Sequence, residues 1–115
     1  METLNEKLKR YRSIIEDVLI PYTQIPYSHG DLICKPIFDP ERDSYLLVTL
    51  GWDRKTRVHG SLVHLDIING KIWVQRDETE DGVSRELVMA GVDRLDIVLA
   101  FHPEDVRAYT GYGTN

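Results

Sequence analysis

The residues in this sequence most able to do chemistry are His64 and Asp66. Two positions apart on an extended strand, their side chains leave the backbone on the same side, so an imidazole and a carboxylate could converge on a proton or a metal ion. A metal site normally takes three or more protein ligands, and spacing fixes no third. His59 lies an odd number of residues from His64, so a regular strand turns it to the opposite face. The simpler reading of the pair is a polar sheet face or an oligomer contact, with Trp73 supplying apolar area. Asp77-Glu78-Thr79-Glu80-Asp81 lacks the ordered ligand spacing of a calcium loop and fits better as negative charge set before the free amides of a helix start. Cys34 has no local His or basic neighbour that would lower its pKa, and reads as a small core residue. There is no Gly-rich phosphate loop between a strand and a helix, no nucleophile elbow and no CxxC. These positions build no catalytic constellation, and no catalytic, cofactor-binding or metal-binding residue is assigned.

Cations are a separate question. Lys7, Lys9, Arg10 and Arg12 crowd one segment and form a candidate basic patch, but they interleave with an apolar stripe and read more simply as a solvated helix face. The formal net charge of -5 argues against broad contact with phosphate backbones, which needs clustered Lys and Arg. With 115 residues, 42% hydrophobic and 29% charged, the chain fits one ordinary globular domain spanning 1–115. No apolar run is long enough to span a bilayer, and the first residues lack the pattern of a secretory signal. The single cysteine permits no intrachain disulfide, so a reducing, cytoplasmic setting is expected.

These side chains must be positioned by secondary structure, and its punctuation is legible. Thr3 and Glu6 make a capping box ahead of Leu4, Leu8, Tyr11, Ile14, Ile15, Val18 and Leu19, which recur at helical spacing. Pro21 stops or kinks that helix. Residues 25–30 form a connecting loop. Strands are expected from Asp31 to Asp39, with Pro36 marking an edge, and from Ser44 to Asp53, where Leu46, Val48, Leu50 and Trp52 share a face. Tyr45 lies on the face opposite Trp52, so one of the two residues faces water, a helix or a partner. Two further strands, Arg57 to Ile68 and Lys71 to Asp77, flank Asn69-Gly70, a hairpin turn signal because both centres accept positive φ. Counting outward pairs Ile68 with Lys71, Ile67 with Ile72, Asp66 with Trp73, Leu65 with Val74 and His64 with Gln75. One face then carries Val63, Leu65, Ile67, Ile72 and Val74, and belongs in the core. The other carries His64, Asp66, Trp73 and Gln75, the candidate partner or oligomer face. A second helix is expected from about Gly82 to Ala90, ended by Gly91 with Val92 behind it. Asp96 to Phe101 reads as a buried strand, and Pro103 opens a last short helix or turn. The fold class is α+β: an N-terminal helix, a four-stranded antiparallel meander, a second helix, then a C-terminal strand and short helix.

The order of several short motifs resembles one family. These are Asp39-x-x-x-Asp43-x-Tyr45, Gly51-Trp52, Arg57-Val58-x-Gly60-x-x-x-His64-x-Asp66-Ile67, and Gly70-Lys71-Ile72-Trp73-Val74-Gln75-x-Asp77-x-Thr79-Glu80-x-Gly82. Glu86-Leu87, Gly91-Val92, Asp96-Ile97-Val98-Leu99-x-Phe101-His102 and Arg107-x-x-Thr110-Gly111 continue the pattern. Together they resemble the XisI family, the fdxN element excision controlling factor of filamentous cyanobacteria, from Tyr11 to Thr110. Pro21 and Asp93 depart from the pattern.

The resemblance implies an accessory factor for developmentally timed excision of a DNA element, acting beside a separate recombinase and a partner called XisH. It carries over no catalytic residue and no cofactor. The expected function is therefore a non-enzymatic regulator that works by protein–protein binding to a XisH-like partner and that self-associates, most simply as a dimer. Two alternatives stand beside it. One is a directly DNA-binding regulator using the basic patch with Arg54, Lys55 and Arg57. The other is a metal-dependent hydrolase built on His64 and Asp66.

Overall fold

The capping box is realised in the computed structural model, which describes residues 1–25 and 31–115; the loop expected at 25–30 lies, from 26 onward, outside the described residues. The Glu6 amide donates to Thr3 Oγ1 at 3.1 Å and the Thr3 amide to Glu6 Oε1 at 3.3 Å, starting α1 (Leu4–Leu19). Tyr11, Ile15 and Leu19 on its stripe are buried, while Leu8, Ile14 and Val18 pack at the margin. At Pro21 the helix tightens into a 3₁₀ turn, Ile20–Gln24.

Strands β1 (Asp31–Asp39), β2 (Ser44–Asp53), β3 (Thr56–Ile68) and β4 (Lys71–Asp77) form the antiparallel meander in spatial order. β1 lies at the edge, where the missing N–H of Pro36 breaks no ladder. Asn69 and Gly70 both take positive φ, 52° and 78°, as their hairpin turn requires. Helix α2 (Val83–Met89) crosses back to β5 (Ile97–Leu99), which pairs with β4 in parallel. Past the C-cap of α2, Gly91 takes φ 115°; its amide donates to Val88 O and that of Val92 to Leu87 O, a Schellman closure with Val92 and Leu87 both buried.

The expected core face holds in full. Val63, Leu65, Ile67, Ile72 and Val74 are buried, joined by Tyr45 and Leu47 of β2, Ile97 of β5, and the inner faces of α1 and α2. On β2 it is therefore Tyr45 that faces the core and Trp52 that faces outward.

Beyond a one-residue earlier start of β3, three details differ from the sequence reading. His64 sits opposite Arg76 rather than Gln75, because a bulge next to Leu65 leaves Gln75 as an extra residue on β4. The C-terminal strand is shorter: Arg94–Asp96 form a 3₁₀ turn with Asp93 as its cap, and the strand ends at Leu99. Pro103 precedes α3 (Glu104–Arg107) instead of occupying its first position.

Beyond α3 the tail returns along β5. Gly113 bridges to Val98, and its amide donates to Ile97 O at 2.7 Å. A Cβ at Gly113 would lie 2.4 Å from Leu95 O, so only glycine allows this approach. No helix among the described residues is long and apolar enough to cross a membrane.

Candidate functional site

His64 and Asp66 do converge, and the carboxylate is the centre of the group. Asp66 Oδ1 accepts from Ser44 Oγ at 2.7 Å and lies 3.0 Å from His64 Nε2, while Asp66 Oδ2 accepts from Gln75 Nε2 at 3.2 Å. Period-two geometry sets His64 beside Asp66, and antiparallel pairing sets Ser44 opposite it. The bulge puts Gln75 out of register with His64, yet both side chains reach the same carboxylate. In a Ser-His-Asp triad the imidazole stands between the hydroxyl and the carboxylate. Here the carboxylate stands between hydroxyl and imidazole, an order that ties three strands together. Among the described residues, no three His, Cys, Asp or Glu side chains gather closely enough to hold a metal ion.

Trp73, the fourth member of this face, is not a free anchor. The Arg107 guanidinium lies 5.4 Å from its ring centroid, a cation–π contact. Arg107 also donates to the carbonyls of His102 and Ala100, which fixes α3 over β4.

Three of the four cations in the basic patch are engaged within the chain. Lys7 pairs with Asp96 at 2.8 Å. Arg10 pairs with Glu2 and donates to Gly91 O, both at 2.8 Å. Arg12 meets Asp43 through two hydrogen bonds of 2.7 and 3.1 Å. These links dock α1 onto the 39–43 turn and onto the end of α2. Tyr11 adds a 2.6 Å hydrogen bond to Asp96. Burial, reinforced by that bond, pushes the Tyr11 hydroxyl up to about 12. Burial pulls Asp96 upward as well, but its hydrogen bonds from Lys7 and Tyr11 outweigh this and hold it below the usual carboxylate range.

The acidic run is also structural at its first member: Asp77 Oδ2 accepts the Val83 amide at 2.7 Å, capping α2 from six residues away, and its Oδ1 accepts the Thr79 amide. Cys34 is buried, and burial pushes its thiol up. One feature had no sequence signal. A groove of about 400 Å³ lies between the end of α1 and α2, lined by Val18, Pro21, Tyr22, Ile25 and Glu86, with Tyr22 donating to Glu86 at 2.5 Å. It joins helices distant in sequence, which is why no spacing pointed to it.

The comparisons with known proteins agree with this geometry. The model of the family described as XisI protein matches residues 5–114. The chain belongs to the XisI family. The crystal structure of a XisI-like protein from Anabaena variabilis ATCC 29413, at 1.30 Å, shares 36% identity and a TM-score of 0.86, covering 94% of this chain and 99% of that one. The fdxN element excision controlling factor XisI from the same organism, at 2.19 Å, shares 34% identity and a TM-score of 0.80, covering 95% and 99%. No curated protein matches the chain. Seen against the structure, many residues that carry the XisI pattern are structural: Asp43, Asp77, Gly91, Asp96 and Arg107 each close a turn, a cap or an inter-element contact.

Proposed function

We propose that this XisI-family chain is a non-enzymatic accessory factor in the control of site-specific DNA excision, acting in the cytoplasm through a XisH-like protein partner. The observation that carries the reading is the end-to-end likeness, at 34% identity, to a protein known as the fdxN element excision controlling factor XisI. The Asp66 group supports the non-enzymatic part, because its carboxylate separates the only hydroxyl in the group from the imidazole. Co-expression with a XisH-like protein tests the proposal. The two chains are expected to co-elute at micromolar concentration, and their failure to associate there would overturn it.

A further inference from the structure

The outer face of β1–β3 is the part of this fold that lacks a cover. Helices α1 and α2 lie on one side of the sheet; on the other, Arg107 of α3 lies over Trp73 of β4, and the tail pairs with the edge of β5 at Gly113. Ile33, Ile37 and Trp52 are 58%, 45% and 48% exposed, and Leu46, Val48 and Leu50 lie half-exposed between them. On β2, Tyr45-Leu46-Leu47-Val48 is an unbroken apolar run, followed after Thr49 by Leu50 and Trp52. Such a run belongs to a strand covered on both faces, whereas a strand with one wet face alternates apolar and polar. The free edge is guarded against strand addition, since Pro36 offers no N–H and Lys35 is exposed beside it. Association must therefore use the face.

We propose that a second copy of this chain packs on that face, sheet against sheet about a two-fold axis, with the strands of the two copies antiparallel. Charge selects this occupant and this orientation. The end of the face at the β2–β3 turn carries Arg54, Lys55 and Arg57 against Asp31 and Asp53, a net positive end. The other end carries Asp39, Glu41 and Asp66 against Arg42, a net negative end, while Asp43 turns to Arg12 on the helix side. A two-fold axis in the plane of the face and across the strands lays each positive end over the partner's negative end. An axis along the strands would lay like over like. With the axis near Val48, Leu46 faces the partner's Leu50 and Ile33 faces the partner's Ile37, while Lys35 sits at the rim with its ammonium in water.

The area is adequate. Three strands about 4.8 Å apart and nine residues long present roughly 450 Å² in plan on each copy. Two such faces, before side-chain relief is counted, approach the ~1,000 Å² expected of a specific interface. His64 and Asp66 fall at the margin of this face, and Trp73 lies outside it beneath Arg107.

Light scattering on the full chain at high micromolar concentration tests the proposal. The expected mass is twice the 13.3 kDa of the chain. Leu50→Glu should halve it without changing the circular dichroism. If Leu50→Glu unfolds, Ile33→Glu decides, because that side chain is already exposed. Mixed Leu46→Cys and Leu50→Cys chains should form a disulfide-linked dimer under oxidation, and each variant alone should not. A monomeric wild type, or a Glu variant that stays dimeric, would overturn the proposal. A monomer that loses a XisH-like partner on Leu50→Glu would also overturn it, assigning the face to that protein while leaving the functional reading intact. Cross-linking of each variant alone would overturn the antiparallel orientation.

Discussion

At the scale of residues, Asp66 holds a hydroxyl, an imidazole and an amide from three strands, so its loss strands several polar groups at once. Asp66→Ala is expected to cost about 1–3 kcal/mol, measured by urea denaturation, with Asp66→Asn costing less. Tyr11 and Asp96 contribute to the pH response from opposite sides. Asp96 is held below its unfolded value near 4, so the stability it contributes is present above that pH and is lost as pH falls through the folded value. Tyr11 is raised to about 12, so its contribution is full below its unfolded value near 10 and is lost as pH rises past that towards 12. In a series of denaturation midpoints, Asp96→Asn should be less stable than the wild type at pH 7, with the gap closing in acid. Tyr11→Phe should lose less stability than the wild type between neutral and alkaline pH. The convergence of His64 and Asp66 was legible because a strand repeats every two residues. Ser44 was not, since it arrives from another strand, and Gln75 arrives through a bulge that no residue type announces.

At the scale of elements, the strand limits were legible wherever turn chemistry marked them. Asp31 to Asp39, Ser44 to Asp53 and Lys71 to Asp77 stand as read, and β3 begins one residue earlier. The register shifts in the β2–β3 pair, at Leu62, and in the β3–β4 pair, at Gln75, were hidden, as was the shortening of β5, because an apolar run does not record where pairing stops. Glycines on neighbouring strands separate these effects. Gly51 has φ 139°, and a Cβ there would lie 1.9 Å from Asp31 O, inside the β1–β2 pair. Gly60 meets nothing within 4 Å. Gly51→Ala should therefore cost about 2 kcal/mol or more and loosen β1, seen as faster amide exchange across that strand. Gly60→Ala should be neutral or stabilising by up to about 1 kcal/mol.

At the scale of the whole molecule, the structure measures 51 × 30 × 24 Å and its sheet is finished differently on its two sides. The β1 side is guarded by residue type, while the β5 side is closed by the tail. Val98 is fully buried on the face opposite the core with its backbone bridged by Gly113 of the tail, and Arg107 of α3 covers the half-buried Trp73. Removing residues 109–115 should uncover Val98 and cost about 1.5–3 kcal/mol for that side chain alone, read as a lowered thermal midpoint. No reading of Tyr109 to Asn115 could have placed them there, because the glycine that permits the approach, Gly113, is justified only by the backbone of Leu95, many residues away.

The closure of β5 by Gly113 also has an order in time. Residues 1–77 contain α1 and the whole meander, whose pairings are all between neighbours in sequence, so they can assemble as soon as they leave the ribosome. Until residues 97–113 follow, β4 is an open edge and Trp73 is uncovered. A nascent chain stalled in that interval is the form most exposed to pairing with the wrong strand. Synthesis ends this exposure with a seventeen-residue stretch, from Ile97 to Gly113, that supplies both the last strand and its cover.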